Sequence, residues 1–295
     1  MSVFVQQQGT FCDFSGGDSW VILSPIEQSI KRKIEAVGTP LKDWDINIYR
    51  GVLTGCNEAF IISTEKRNEI LANCKTEDER KRTEELIRPI LRGRDIKRYG
   101  YEWAELWLIN THNGVKGRIP RIRIEDYPAV KAHLDQFWDK IKDRADQGDT
   151  PYNLRNCAYL EEFSKPKIVY PNMTKYMPFV FDDCGFLTNQ KCFIITGEHI
   201  AFLTAFLNSS IFKFCFRDSF PELQGGTREL SKIFFDSIPV LRIHASQDCI
   251  FEQAVHDIQD SFTLEKAQHI DALIYQVYGL DEKDINEIGY IEISK

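Results

Sequence analysis

The sequence predicts a mixed α+β protein, with short mixed or antiparallel sheets and helices over most of its length and a helical region at the C-terminal end. Three observations predict it. Brief β-like runs recur between polar loops as far as Ile195, apolar residues at helical spacing fall between them, and a long helical stripe follows near the end. With 43% hydrophobic residues among 295, the chain can fill a substantial core without disulfide staples.

The elements follow in order. Residues 1–19, with Gly16-Gly17-Asp18, read as an irregular lead-in, and Trp20–Leu23 as a short strand. Ser24 can cap and Pro25 can occupy the first turn of a helix that carries Ile26, Ile30 and Ile34 on one face and ends at Gly38–Pro40. Two β-like runs, Ile46–Tyr49 and Ala59–Ser63, flank a turn-rich segment from Gly51 to Asn57 that lets backbone approach closely. Glu77–Ile87 is a charged helix that must stop around Pro89. A strand at Leu106–Asn110 leads into the basic loop Lys116–Arg123, and Ala129–Ile141 reads as an amphipathic helix with Leu134, Trp138 and Ile141 on its core stripe. Strands at Lys167–Tyr170, Phe179–Phe181 and Cys192–Ile195 precede an apolar helix, Ile200–Leu207, ending at Asn208. Past the Gly225-Gly226 loop, one long helix over Cys249–Tyr278 carries Phe251, Val255, Ile258, Phe262, Ile270, Leu273 and Val277 at spacings of three, four, four, eight, three and four, a packing or docking face. The expected division is a lead-in over 1–19, a main domain over 20–240 and a helical region over 241–295.

A net charge of −7 argues against a protein coated in nucleic acid. The distribution is uneven: 66–123 holds 15 Lys and Arg against 9 Asp and Glu, a net +6, so the remainder is at −13. Such a stretch suits a face presented to DNA, or simply a solvated helix face. The eight scattered cysteines form no CxxC pair, no secretory leader is evident and no run approaches the roughly 18 apolar residues of a membrane span. Reduced thiols and a cytoplasmic location are expected.

Signatures of catalysis are missing. Neither G-x-G-x-x-G nor G-x-x-x-x-G-K-[ST] occurs. Tyr170-Pro171-Asn172 has the wrong order for the Asn-Pro-Pro-aromatic motif of DNA amino-methyltransferases. Glu79-Arg80-Lys81 offers only half of a metal-dependent nuclease motif, inside a charged helix. The six histidines show no H-E-x-x-H and no zinc spacing. No catalytic residue, metal ligand or cofactor is therefore expected in this chain.

Asn47-Ile-Tyr-Arg-Gly51-Val-Leu-Thr-Gly55-Cys-Asn57-Glu-Ala-Phe60 and Leu86-Ile-Arg-Pro89-Ile-Leu-Arg92-Gly-Arg94-Asp95-Ile-Lys-Arg98-Tyr99 occur in that order. They are followed by Trp107–His112, Lys165–Tyr170, Leu207-Asn208-Ser209-Ser210, Ile233–Pro239 and Ile270-Asp271-Ala-Leu-Ile-Tyr275-Gln-Val-Tyr278-Gly279-Leu280. The ordered series resembles the TaqI-like C-terminal specificity domain of restriction-modification methyltransferases over roughly Trp20 to Gly289. The resemblance implies a double-stranded DNA target-recognition domain attached to an adenine-specific methyltransferase, often with an endonuclease upstream. S-adenosylmethionine and Mg²⁺ would then belong to those catalytic parts, whose motifs this chain lacks, leaving a fragment of a larger enzyme or a separate specificity subunit.

The candidate DNA-binding residues follow from chemistry. Arg92, Arg94, Lys97 and Arg98 cluster beside Gly93, where they can grip phosphates or read guanine, or form a structural ion-pair cluster with Asp95. Arg118, Arg121 and Arg123 alternate, so an extended loop would point them one way, toward phosphate. Asn172, Lys175, Tyr176, Asn189 and Gln190 suit base edges or turns, as do Gln224 and Arg228 beside the double glycine. Thr54 and Asn57 are expected to stabilise their own turn. Two rival readings remain open: a metal-dependent nuclease using Glu79, and a protein-interaction subunit that docks a separate methyltransferase.

Overall fold

The computed structural model describes residues 24–291, so the 1–19 lead-in and the Trp20–Leu23 strand lie outside the described residues. The chain folds as two compact units that are not contiguous in sequence. One gathers the described residues up to Ile46, Met173–Met177 and those from Glu198 onward; the other holds Asn47–Asn172 and Pro178–Gly197. The architecture is α+β.

The first unit is mainly helical. Its Pro25–Val37 helix starts in a capping box: Ser24 Oγ accepts from the Glu27 N–H at 3.2 Å while the Glu27 carboxylate accepts from the Ser24 N–H at 2.5 Å. Ile30 and Ile34 are fully buried, but Ile26 is 37% exposed. Positions four apart drift by about 40° around a helix, and Ile26 sits at the solvent end of the stripe. Gly38–Pro40 does more than end the helix, since it pairs antiparallel with Pro239–Leu241. Every residue of the Ile200–Asn208 helix is buried. Phe206 packs its ring against Phe212, Phe216 and Tyr278.

The expected single helix over Cys249–Tyr278 is two, Ala245–Asp260 and Leu264–Tyr278. Thr263 caps the second by accepting from the Lys266 N–H at 3.3 Å, and Phe262 lies in the break, 43% exposed. The spacing of eight between Phe262 and Ile270 is where the sequence carries this break. Asp271, fully buried, accepts from the N–H and the hydroxyl of Ser210 at 2.8 and 2.7 Å and from the Ile291 N–H at 2.9 Å. Two of the conspicuous motifs, Asn208-Ser209-Ser210 and Ile270-Asp271, thus hold each other.

The second unit contains two four-stranded sheets. One has the order Val180–Asp182, Lys167–Pro171, Cys192–Gly197, Ile46–Arg50; the other has Leu187–Thr188, Ile87–Leu91, Leu106–Ile109, Ile61–Ser63. Pro89 lies inside a strand, where a missing N–H would break a ladder. It is tolerated because the strand changes partners there: Ile87–Pro89 pairs antiparallel with Leu106–Ile109, and Ile90–Leu91 pairs parallel with Leu187–Thr188. Of the expected Ala59–Ser63 run, Ile61–Ser63 is strand while Asn57–Phe60 forms a helical turn, and Thr54 Oγ1 donates to Asn57 Oδ1 at 2.6 Å to hold the loop before it. The helix over Ala129–Ile141 breaks into Pro128–Asp135 and Trp138–Ile141. The break resets the helical phase, so Leu134 and Ile141 are buried while Trp138 is 41% exposed, its ring tilted over Tyr152.

One charged pair sits within this core. Lys167 and Asp182 have side-chain exposures of 0% and 1% and meet at 2.5 Å. The Lys167 ammonium also donates to the Phe163 carbonyl at 2.6 Å, and the Asp182 carboxylate accepts from the N–H groups of Cys184 and Phe186 at 3.0 Å each. Burial pushes the Lys167 pKa down from its ordinary value.

Candidate nucleic-acid interface

In the second unit the turn at 188–192 is a hub. The N–H of Val52 donates to Thr188, that of Gly51 to Cys192, that of Asn189 to Leu91, and that of Asn172 to Lys191, at 2.7, 2.9, 3.2 and 2.8 Å. Gly51 is required by contact: a Cβ there would lie 2.0 Å from the Asn189 carbonyl oxygen. Gly93 packs against Pro171 and Lys191, each 3.4 Å from where its Cβ would be. The hub draws three segments carrying Arg50, Arg92 to Arg94 and Asn172 to one rim.

Side chains on this rim divide into those spent on the fold and those left outside. Arg92 is spent. Its guanidinium grips the buried Asp95 carboxylate through Nε at 3.0 Å and Nη2 at 2.7 Å, and its N–H donates to the same carboxylate at 2.8 Å. Asp95 correspondingly raises the Arg92 pKa. The ion pair with Asp95 that the sequence allowed is present, and it closes a turn three residues long. Asn189 also serves the fold: at 7% exposure, its Oδ1 accepts from the Lys191 N–H at 3.2 Å and caps the turn. Gln190 is half-buried and offers its carbonyl oxygen to Arg50 Nε at 3.0 Å. The amide oxygens of Asn172 and Gln190 are buried with no hydrogen-bond partner among the described residues.

Left outside are Arg50, Arg94 and Lys191, all exposed, with Lys97 in a 3.4 Å contact to the exposed Glu102. Arg98 is half-buried. The side chains of Arg94 and Lys191 pair with no carboxylate among the described residues. Sequence reasoning missed Arg50 and Lys191, although each adjoins a residue it singled out, Gly51 and Gln190.

The basic loop does not point one way. It folds back on itself through a Val115–Ile119 bridge, with Gly114 and Gly117 at positive φ, so the alternation of arginines is lost. Arg118 pairs with Glu161 at 2.5 Å and donates to the Ala158 carbonyl, Arg121 pairs with Asp149 at 3.0 Å, and Arg123 and Lys116 are exposed without an ion pair among the described residues. Exposed pairs of this kind are worth about 0–1 kcal/mol, so a phosphate can exchange for either carboxylate.

The other candidates lie in the first unit. Met173–Thr174 pairs antiparallel with Arg228–Glu229, which sets Lys175 and Tyr176 beside the loop that carries Gln224. Lys175, Tyr176 and Gln224 are exposed. Arg228 is not: it is 6% exposed and its guanidinium donates to the Phe220 carbonyl at 2.7 Å, Asp218 at 2.8 Å and Glu222 at 2.9 Å. It braces the loop.

Glu79 is 4% exposed and both carboxylate oxygens are occupied, accepting from the N–H groups of Ala129 and Lys75 at 3.0 and 2.9 Å. Among the described residues no group of three or more His, Cys, Asp or Glu side chains is arranged to hold a metal ion, and no single helix is long and apolar enough to cross a membrane.

The model of the TaqI-like C-terminal specificity domain matches residues 88–240, just over half of the chain. The chain belongs to that family. Its specificity-domain fold is also seen in solved structures. It is similar to the type IIL restriction-modification enzyme MmeI in complex with DNA, with a TM-score of 0.57 and 14% identity over 85% of this chain and 35% of that one. It is similar to the type IIG restriction endonuclease BpuSI, with a TM-score of 0.56 and 14% identity over 90% of this chain and 32% of that one. The specificity domain thus spans about a third of the length of these structures. No functionally curated protein matches it in sequence.

Proposed function

We propose that this specificity domain recognises a sequence in double-stranded DNA on behalf of a restriction-modification enzyme and carries no catalytic centre. It would direct an adenine-specific methyltransferase, joined with or without an endonuclease, whose S-adenosylmethionine and Mg²⁺ are bound elsewhere, in the cytoplasm. The observation that carries the reading is the rim of the second unit, where a glycine-permitted turn gathers Arg50, Arg94 and Lys191 as exposed cations while buried Asp95 and Asn189 hold the backbone beneath them. Cations presented on a fixed backbone are what phosphate contact demands, and phosphate contacts set register while other groups read bases.

Titration of a duplex with the wild-type chain and an Arg50→Ala, Arg94→Ala, Lys191→Ala variant over a range of salt tests it. If each cation displaces counterions from one phosphate, the slope of log affinity against log salt falls by about 0.9 per residue removed, between two and three in total. Equal slopes for the two proteins, or no duplex binding even at low salt, would refute the reading.

A further inference from the structure

The first unit carries a small ribbon whose outer surface is exposed among the described residues. Met173 is 53% exposed, Tyr176 58% and Leu223 38%, and Lys175 and Gln224 stand beside them. The scaffold below is braced. Thr174 and Met173 pair with Arg228 and Glu229, Glu222 bridges to Arg228, and the Leu223 N–H donates to the Thr227 carbonyl at 2.6 Å. Gly225 and Gly226, at φ 78° and 77°, close the turn in a conformation that side chains resist. A Cβ on Gly226 would lie 3.9 Å from Lys175 Cε, so the lysine stem runs over the turn. The Tyr176 N–H donates to Thr174 Oγ1 at 3.1 Å, fixing the bend at the other side. The three acceptors around Arg228 tie the base of the loop to 218–222. Two large apolar side chains and a tyrosine are thereby held exposed on a braced turn, with an ammonium and a carboxamide beside them.

Resting on the reading that the chain recognises duplex DNA, we propose that the ribbon of Met173–Tyr176 and the Glu222–Arg228 loop reads base edges in the major groove. Gln224 contacts an adenine and Lys175 a guanine. The major groove, about 12 Å wide, admits a two-stranded ribbon, and a carboxamide matches adenine N6 and N7 while an ammonium matches guanine O6 and N7. Tyr176, Met173 and Leu223 supply the apolar contact that thymine methyl groups accept. A purely apolar protein partner would not call for an amide and an ammonium at the tip.

The test is selection from a randomised duplex pool, with wild type, Gln224→Ala, Lys175→Ala and Gln224→Glu in parallel, each checked for an unchanged melting temperature. Wild type should enrich a motif. Gln224→Ala should lose preference at one adenine and Lys175→Ala at one guanine, each by about ten- to a hundredfold, with Gln224→Glu turning toward cytosine, whose N4 donates to a carboxylate. Removing the uncharged Gln224 should leave the salt slope intact. A wild-type motif retained at every position by all three variants would overturn the ribbon's role and leave DNA recognition standing. Absence of any enriched motif for wild type would overturn recognition itself and the ribbon with it.

Discussion

Replacing Asp182 with alanine strands the Lys167 ammonium in the core of the second unit. Both side chains are shut off from solvent, and among the described residues Lys167 keeps the Phe163 carbonyl as its remaining partner. Two N–H groups, of Cys184 and Phe186, lose their acceptor in the same step. Removing one member of a buried pair costs about 3–5 kcal/mol, because the remaining charge is left uncompensated. At roughly 2–4 °C per kcal/mol for a chain of this size, the melting transition of Asp182→Ala should fall by about 6–20 °C at neutral pH. Asp182→Asn, which keeps an oxygen for one of the two N–H groups, should fall by less.

The pH dependence gives the loss its own signature. Asp182 is what holds the Lys167 pKa up against burial, so in Asp182→Ala that pKa drops further below the value of the unfolded chain. Between the two values the unfolded state carries a proton that the folded state lacks, and stability rises with pH there. The variant should therefore recover part of its stability between pH 7 and 9, where wild type gains less. The paired replacement Lys167→Met with Asp182→Leu should come close to wild type, since a buried pair replaced by apolar side chains is often neutral or stabilising. Scanning calorimetry across that pH range reads all of this. A fall of less than about 1 kcal/mol for Asp182→Ala, or a loss that does not ease as pH rises, would refute the argument that the pair is dry.

Gly51→Ala brings a Cβ to 2.0 Å from the Asn189 carbonyl oxygen, so the turn must shift; we expect about 1–3 kcal/mol lost in denaturant titration, together with weakened duplex binding, whereas an unchanged midpoint would show that the turn yields freely. His112 and His133 are both pushed below 6.5 by burial. They are neutral when folded while the unfolded chain takes up protons as pH falls through 6.5, so stability should decline on acidification and level off below their folded values. His133→Gln should flatten the melting temperature between pH 6.5 and 5, and an equally steep decline in that variant would contradict the assignment.

Much of the fold was legible because its signals are local. The Ser24 capping box, the Thr54–Asn57 turn, the apolar Ile200–Asn208 helix and the ordered family motifs each depend on residues a few positions apart. The misplaced elements are those where a break competes with a continuous stripe. Gln136–Phe137 resets a helix that periodicity alone would carry through, and Thr263 restarts another after the eight-residue gap. In sequence Pro89 reads as a stop for the charged helix, and only strand pairing shows that the residues around it change partners between two neighbours.

By itself the sequence determined the family, the α+β class and the set of cations from which an interface must be drawn. Tertiary structure decided which of them are available. Arg92 finds Asp95 three residues away, a pairing the sequence could suggest, but Arg118 meets Glu161 and Arg121 meets Asp149 from 43 and 28 residues away. Arg228 is enclosed by the 218–222 segment, while Arg50 reaches the rim that Lys191 shares by bonding the Gln190 carbonyl from 140 residues away. A helix cap or an apolar stripe is set by neighbours along the chain, whereas a long charged side chain takes whichever partner the fold brings within about 4 Å, and that distance exists only once the chain has closed.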